Sequence, residues 1–164
     1  MKTRWSESFN ICSIEEDFDS WPATAGVYII RGPRSVPRIG GTDKTGILYF
    51  GKATKLCYRI WAFKKANHTA SGFLWAHTDI AQLVLNRSIR TQNEVLNYLM
   101  KLTVRFATPL DSRQLSRAER ALMFSYISQF GEAPPLNLSL VSRWESKPSA
   151  TDLSWAEEGI QRRT

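Results

Sequence analysis

A single change of period constrains what this chain can fold into. Up to Gly51 the apolar residues come in two short β-branched and aromatic runs, Gly26-Val-Tyr-Ile-Ile30 and Ile47-Leu-Tyr-Phe50, each bounded by glycine. Runs of this kind read as buried strands. Beyond Gly51 the apolar residues recur at helical spacing, at Leu56, Ile60 and Phe63, which predicts a helix over residues 53–66. Ile80, Leu83, Val84, Val95, Leu96 and Leu99 suit one or two further helices over residues 80–100. Leu102-Thr-Val-Arg-Phe106 alternates and predicts a third strand. Apolar residues at 115, 118, 122, 123, 126, 127 and 130 then mark an amphipathic helix, stopped by Gly131 and Pro134-Pro135. The order β-β-α-α-β-α predicts a small α+β domain over residues 25–140. Its three-stranded antiparallel sheet is flanked by helices. Residues 1–24 read as a leader that packs on the domain, and residues 141–164 as a partly helical or flexible tail. Residues 32–46, rich in Gly and Pro, read as one long loop.

The charge is uneven in a way that bears on partners. Residues 25–120 hold sixteen basic and five acidic side chains, an excess of +11, whereas residues 1–24 carry −3 and residues 121–164 carry −1. A basic segment of this kind is the footprint of a phosphate-backbone binder. No apolar run approaches the ~20 residues of a membrane span. The first residues, MKTRWSESFNICSIEEDF, are acidic where a secretion signal is apolar. Cys12 and Cys57 are too few for a disulfide framework. The expected location is therefore cytoplasmic, with no membrane partner. There is no phosphate-binding glycine loop and no His or Cys pair at metal-ligand spacing.

What remains is a set of polar groups at element ends: Tyr28 and Tyr49 in the first two strands, Arg59 in the first helix, Glu119 in the last, and Asn137 after it. In this order the chain resembles the GIY-YIG nucleases. The first motif of that family is matched by Gly26-Val27-Tyr28, and the second by Tyr49-Phe50-Gly51 followed by Lys52-Ala53. The helix arginine falls at Arg59, and the metal-binding glutamate at Glu119 in RAERALMFSYI, ahead of Pro134-Pro135-Leu136-Asn137. The match spans residues 20–140. It departs from the family at Phe50, at the wide spacing between the tyrosines, and at Phe63, where many members carry a proton-handling His or Tyr. His68, in the following loop, is the stand-in for that role.

The resemblance implies a metal-dependent DNA endonuclease. Glu119 would hold Mg²⁺ or Mn²⁺, and Arg59 would offer its planar fork to the scissile phosphate. Tyr49 or Tyr28 would take the proton of the attacking water, and Asn137 would orient Glu119 or fix the turn. Lys52 and the loop cations Arg31, Arg34, Arg38 and Lys44 would contact DNA phosphates. Double-stranded DNA is the expected substrate. With no separate DNA-binding domain, either a homodimer reads the sequence or another protein supplies targeting.

Each residue also has a plainer reading. The tyrosines fit a core with satisfied hydroxyls, and Ser116-Arg-Ala-Glu119 fits a helix capping box. Pro109-Leu-Asp111 with Glu145-Ser-Lys147 weakly imitates another nuclease signature. The alternative function is an inactive nucleic-acid-binding module of the same fold, which Phe63 favours. A third is partner binding through Trp144 and Trp155 in the tail.

Overall fold

A computed structural model describes residues 3–11, 22–61, 97–98, 100–137 and 147–161. His68, His77, Phe63, Trp144, Glu145 and most of the expected helical region 80–100 lie outside the described residues. Among the described residues no helix is long and apolar enough to cross a membrane.

The fold is mixed α+β. Strand β2 (Gly26–Arg31) is buried along its whole length. It pairs antiparallel with β5 (Ile47–Ala53) on one side and with β6 (Thr103–Ala107) on the other. A two-residue strand, β1 (Phe9–Asn10), adds to β6, so the main sheet has the order β1-β6-β2-β5. Four strands replace the expected three, because a two-residue pairing leaves no alternation to read. The expected loop over residues 32–46 contains a second sheet, formed by β3 (Val36–Arg38) and β4 (Gly41–Asp43). Its strands are too short and too rich in Pro and Gly for a periodic signal.

Helices cover the sheet. Residues 56–61 are helical (α1), where the spacing predicts it. Helix α2 (Ser112–Phe130) starts three residues earlier than its apolar stripe. Asp111 caps it: its carboxylate accepts the Gln114 N–H at 2.7 Å, and Gln114 Oε1 accepts the Asp111 N–H at 3.0 Å. The capping box is therefore Asp111–Gln114, and Glu119 lies well inside the helix. Gly131 ends α2 in the left-handed region at φ 78°, its N–H on the Ile127 carbonyl at 2.8 Å.

Helix α3 (Ala150–Gln161) packs on α2. One core cluster joins Val27, Ile29, Ile47 and Phe50 to α2 and α3. The other gathers Tyr28, Ile30, Leu48 and Val104 with Leu56 and Ile60 of α1. Trp155 is buried against Trp5, ring centroids 4.7 Å apart, so it is a core residue and not a partner anchor.

Candidate active site at the edge strand

Strand β5 carries a local irregularity just before Tyr49. Ile30 pairs with Tyr49 but Arg31 pairs with Ile47, which leaves Leu48 as an extra residue. Strand side chains alternate faces, and a bulge resets that alternation. Here Leu48 and Tyr49, though consecutive, both pack with the cluster that contains Tyr28, while Ile47 and Phe50 face the other way. The regular register of Tyr28 with Gly51 and of Ile30 with Tyr49 sets Tyr49 on the Tyr28 face, and the bulge brings Leu48 to that face as well. The Tyr28 and Tyr49 rings lie 6.0 Å apart at 38°.

Gly51 makes this approach feasible. It pairs directly with Tyr28. A Cβ there would overlap the Tyr28 phenol and come within 2.7 Å of Tyr49 Cε1. Gly26, in the first motif, is held as tightly: a Cβ would stand 2.7 Å from the Ala107 carbonyl oxygen of β6.

The phenols are unequal. Tyr28 is 2% exposed, and Tyr49 is half-buried. Burial pushes the Tyr28 hydroxyl far above the ordinary tyrosine range, and neighbouring Tyr49 adds to this. Tyr49 is also raised, first by burial and then by the charge of Glu119. The two hydroxyls are hydrogen-bonded to each other, which raises Tyr28 and lowers Tyr49. The Arg59 charge lowers both, and the Glu119 charge raises both. The phenols of β2 and β5 therefore both lie within electrostatic reach of Arg59 from α1 and Glu119 from α2.

Lys52, the residue after Gly51, ties β5 to α2. Its Nζ lies 2.8 Å from Glu119 Oε2 and donates to Ser116 Oγ at 3.3 Å. The Glu119 side chain keeps 23% of its surface and Lys52 keeps 41%. The Asn137 side chain bonds to the β5 backbone and not to Glu119. Its Oδ1 accepts the Phe50 N–H at 2.9 Å, and its Nδ2 donates to the Phe50 carbonyl at 2.8 Å. With Leu136 N–H on the Leu48 carbonyl at 3.0 Å, it zips the 134–137 turn onto the outer edge of β5. Asn137 thus positions the backbone between Tyr49 and Gly51.

The loop cations divide. Arg34 and Lys44 are exposed. Arg31 is 4% exposed and donates to the carbonyls of Gly159 and Ile160, both at 2.7 Å, at the end of α3. Arg38 is buried against Glu132 at 3.1 Å and also donates to the Ala133 carbonyl. Neither guanidinium faces outward as the loop reading expects. A strand arginine is indistinguishable by composition from a surface one.

Among the described residues no group of three or more His, Cys, Asp and Glu is placed to hold a metal ion. The lone, partly exposed Glu119 carboxylate nevertheless fits Mg²⁺. That ion keeps several waters and binds through one or two carboxylates plus substrate phosphate oxygens. Sequence reasoning missed Tyr58. It is 57% exposed, next to Arg59, and shares an open groove of about 310 Å³ with Ala53, Thr54, Lys55 and Arg59. An aromatic residue off the helix's apolar stripe was the available signal. No family model, curated protein or solved structure matches this chain.

Proposed function

We propose that the chain is a metal-dependent DNA endonuclease of GIY-YIG type. The observation that carries this reading is that Arg59 and Glu119 both act electrostatically on Tyr28 and Tyr49 around the end of β5. These are four of the five groups that the family resemblance names. Glu119 holds the cation, with Lys52 paired to the same carboxylate in the free protein. When bound, Mg²⁺ or Mn²⁺ supplies Lewis acidity that steadies charge on the leaving oxygen. Arg59 presents a planar fork to the scissile phosphate.

The two tyrosines take separate roles. Tyr28, raised by burial, stays protonated and donates to Tyr49. That bond and the Arg59 charge work toward the phenolate of Tyr49, the form able to accept a proton from water, against the burial and the Glu119 charge that hold its hydroxyl above the ordinary tyrosine value. Lys52, Arg34 and Lys44 are exposed and serve the DNA backbone.

The test is plasmid nicking with Mg²⁺. Glu119→Ala and Arg59→Ala should each lower the rate by about 100-fold or more, the scale of losing one charge-stabilising group. Wild-type cutting by both variants overturns the mechanism. The Lys52–Glu119 pair also suits a second reading, a binding module whose carboxylate is already engaged. That reading requires salt-dependent DNA binding and no cutting in either Mg²⁺ or Mn²⁺.

A further inference from the structure

The groove beside Arg59 has a composition of its own. Tyr28, Phe50 and Tyr126 are buried, yet Tyr58 is 57% exposed. Lys55 stands over its ring with Nζ 5.5 Å from the centroid. Lys55, just before α1, precedes Tyr58 and Arg59 by three and four residues, the spacing that makes it a neighbour of each. All three line the same open groove. Arg59 also acts on both phenols of the candidate active site. The groove therefore presents an exposed aromatic ring together with two cations, next to the proposed point of cutting. A nucleotide presents the complement: a flat π-face beside an anionic phosphate.

We propose that Tyr58 is a stacking platform for one unpaired base of the strand to be cut, with the adjoining phosphates on Lys55 and Arg59. A base inside a duplex is already stacked on both faces, whereas an unpaired base has a face to give. The substrate class is then DNA with an unpaired nucleotide at the cut, whether single-stranded, flapped or locally opened, in preference to intact duplex. The cutting consequence rests on the nuclease reading; the binding consequence does not.

The two are separated by measuring binding and cutting apart. Binding is followed with the full chain carrying Glu119→Gln, using a DNA strand with one 2-aminopurine, alone and annealed to its complement. Tyr58→Ala should weaken single-strand binding by about tenfold, the effect of losing one base–aromatic stack, and abolish the quenching of the base analogue. Tyr58→Phe should retain both, and duplex binding should be unchanged by either substitution. Single-strand binding by Tyr58→Ala equal to that of the parent overturns the platform. So does equal competition by polyglutamate, since charge alone would then explain the groove. A wild-type chain that fails to cut any DNA in Mg²⁺, with the Tyr58 effect on binding intact, removes the nuclease reading and leaves the platform standing. Cutting that continues with Tyr58-independent binding does the reverse.

Discussion

Gly51 does its work by having no side chain. Tyr28 lies across it and is too buried to swing away. Gly51→Ala therefore forces the strand pair apart or drives the two phenols from their hydrogen bond. Overpacking of this kind costs about 1–3 kcal/mol. The variant should melt lower than wild type and lose nicking activity further than its stability explains; a wild-type melt with wild-type nicking would remove this account. The phenols make a second prediction. Tyr49→Phe should lower single-turnover cutting by about 100-fold or more, as for loss of a general base. Tyr28→Phe, which deletes only the donor to Tyr49, should cost less. The opposite ranking would give the base role to Tyr28. At this scale the sequence was informative about identity but not about orientation. Both tyrosines and the glycine stand out in their strings. The register that sets Tyr49 opposite Ile30, on the Tyr28 face, depends on pairing with a separate strand, which a local pattern does not contain.

Helix α2 brings Glu119 to β5 and, two positions earlier, sends Arg117 toward α3. Arg117 Nε lies 2.5 Å from Asp152 Oδ2, and Ser149 Oγ donates to the same oxygen at 2.8 Å. Burial opposes the charged form of Asp152. The hydrogen bonds from Arg117 and Ser149, helped by the Arg117 charge, outweigh it and hold the carboxyl below its ordinary value. A depressed folded-state pKa stabilises the fold above the unfolded value, and that stabilisation is lost as pH falls through the folded one. The window is therefore the acid side, below about pH 4. Arg117 is 54% exposed, so solvent screens the pair. Asp152→Asn should cost about 1–2 kcal/mol near neutrality after that discount. Its loss relative to wild type should shrink as the buffer is made more acid. Thermal melts of both proteins across this range check it, and parallel curves would exclude the pair as the source. The start of α2 was partly legible, because Asp111 precedes the stripe by a few residues. The Asp152–Arg117 tie was not, because it joins two helices through a single contact with no period of its own.

The two ends of the described chain lock the whole molecule together. Trp5 Nε1 donates to the Trp155 carbonyl at 3.1 Å, and Trp155 Nε1 donates to the Thr3 carbonyl at 2.8 Å. Gly159 lies against the Trp5 ring, where a Cβ would stand 2.8 Å from Nε1. The carbonyls at the end of α3, which carry the negative end of the helix dipole, receive the buried guanidiniums of Arg31 and Arg105. A division into leader, domain and tail follows composition, but the contacts of Arg31 and the two tryptophans span 128 to 152 residues. Sequence periodicity has no access to such separations, which is why Arg31 reads as a DNA contact and Trp155 as an anchor. Removal of residues 147–164 tests the difference. It strips Trp155, Ala156 and Ile160 from the core and exposes Trp5, at about 1.5–3 kcal/mol for each large apolar side chain. It also takes the recorded α3 acceptors from two buried guanidiniums, at about 1–3 kcal/mol each. The sum approaches the roughly 5–15 kcal/mol that holds a domain folded. The shortened chain should therefore lose its cooperative melt and become protease-sensitive throughout, and DNA cutting should disappear with the fold. A shortened chain that melts cooperatively and still nicks plasmid would return α3 to the status of an appendage.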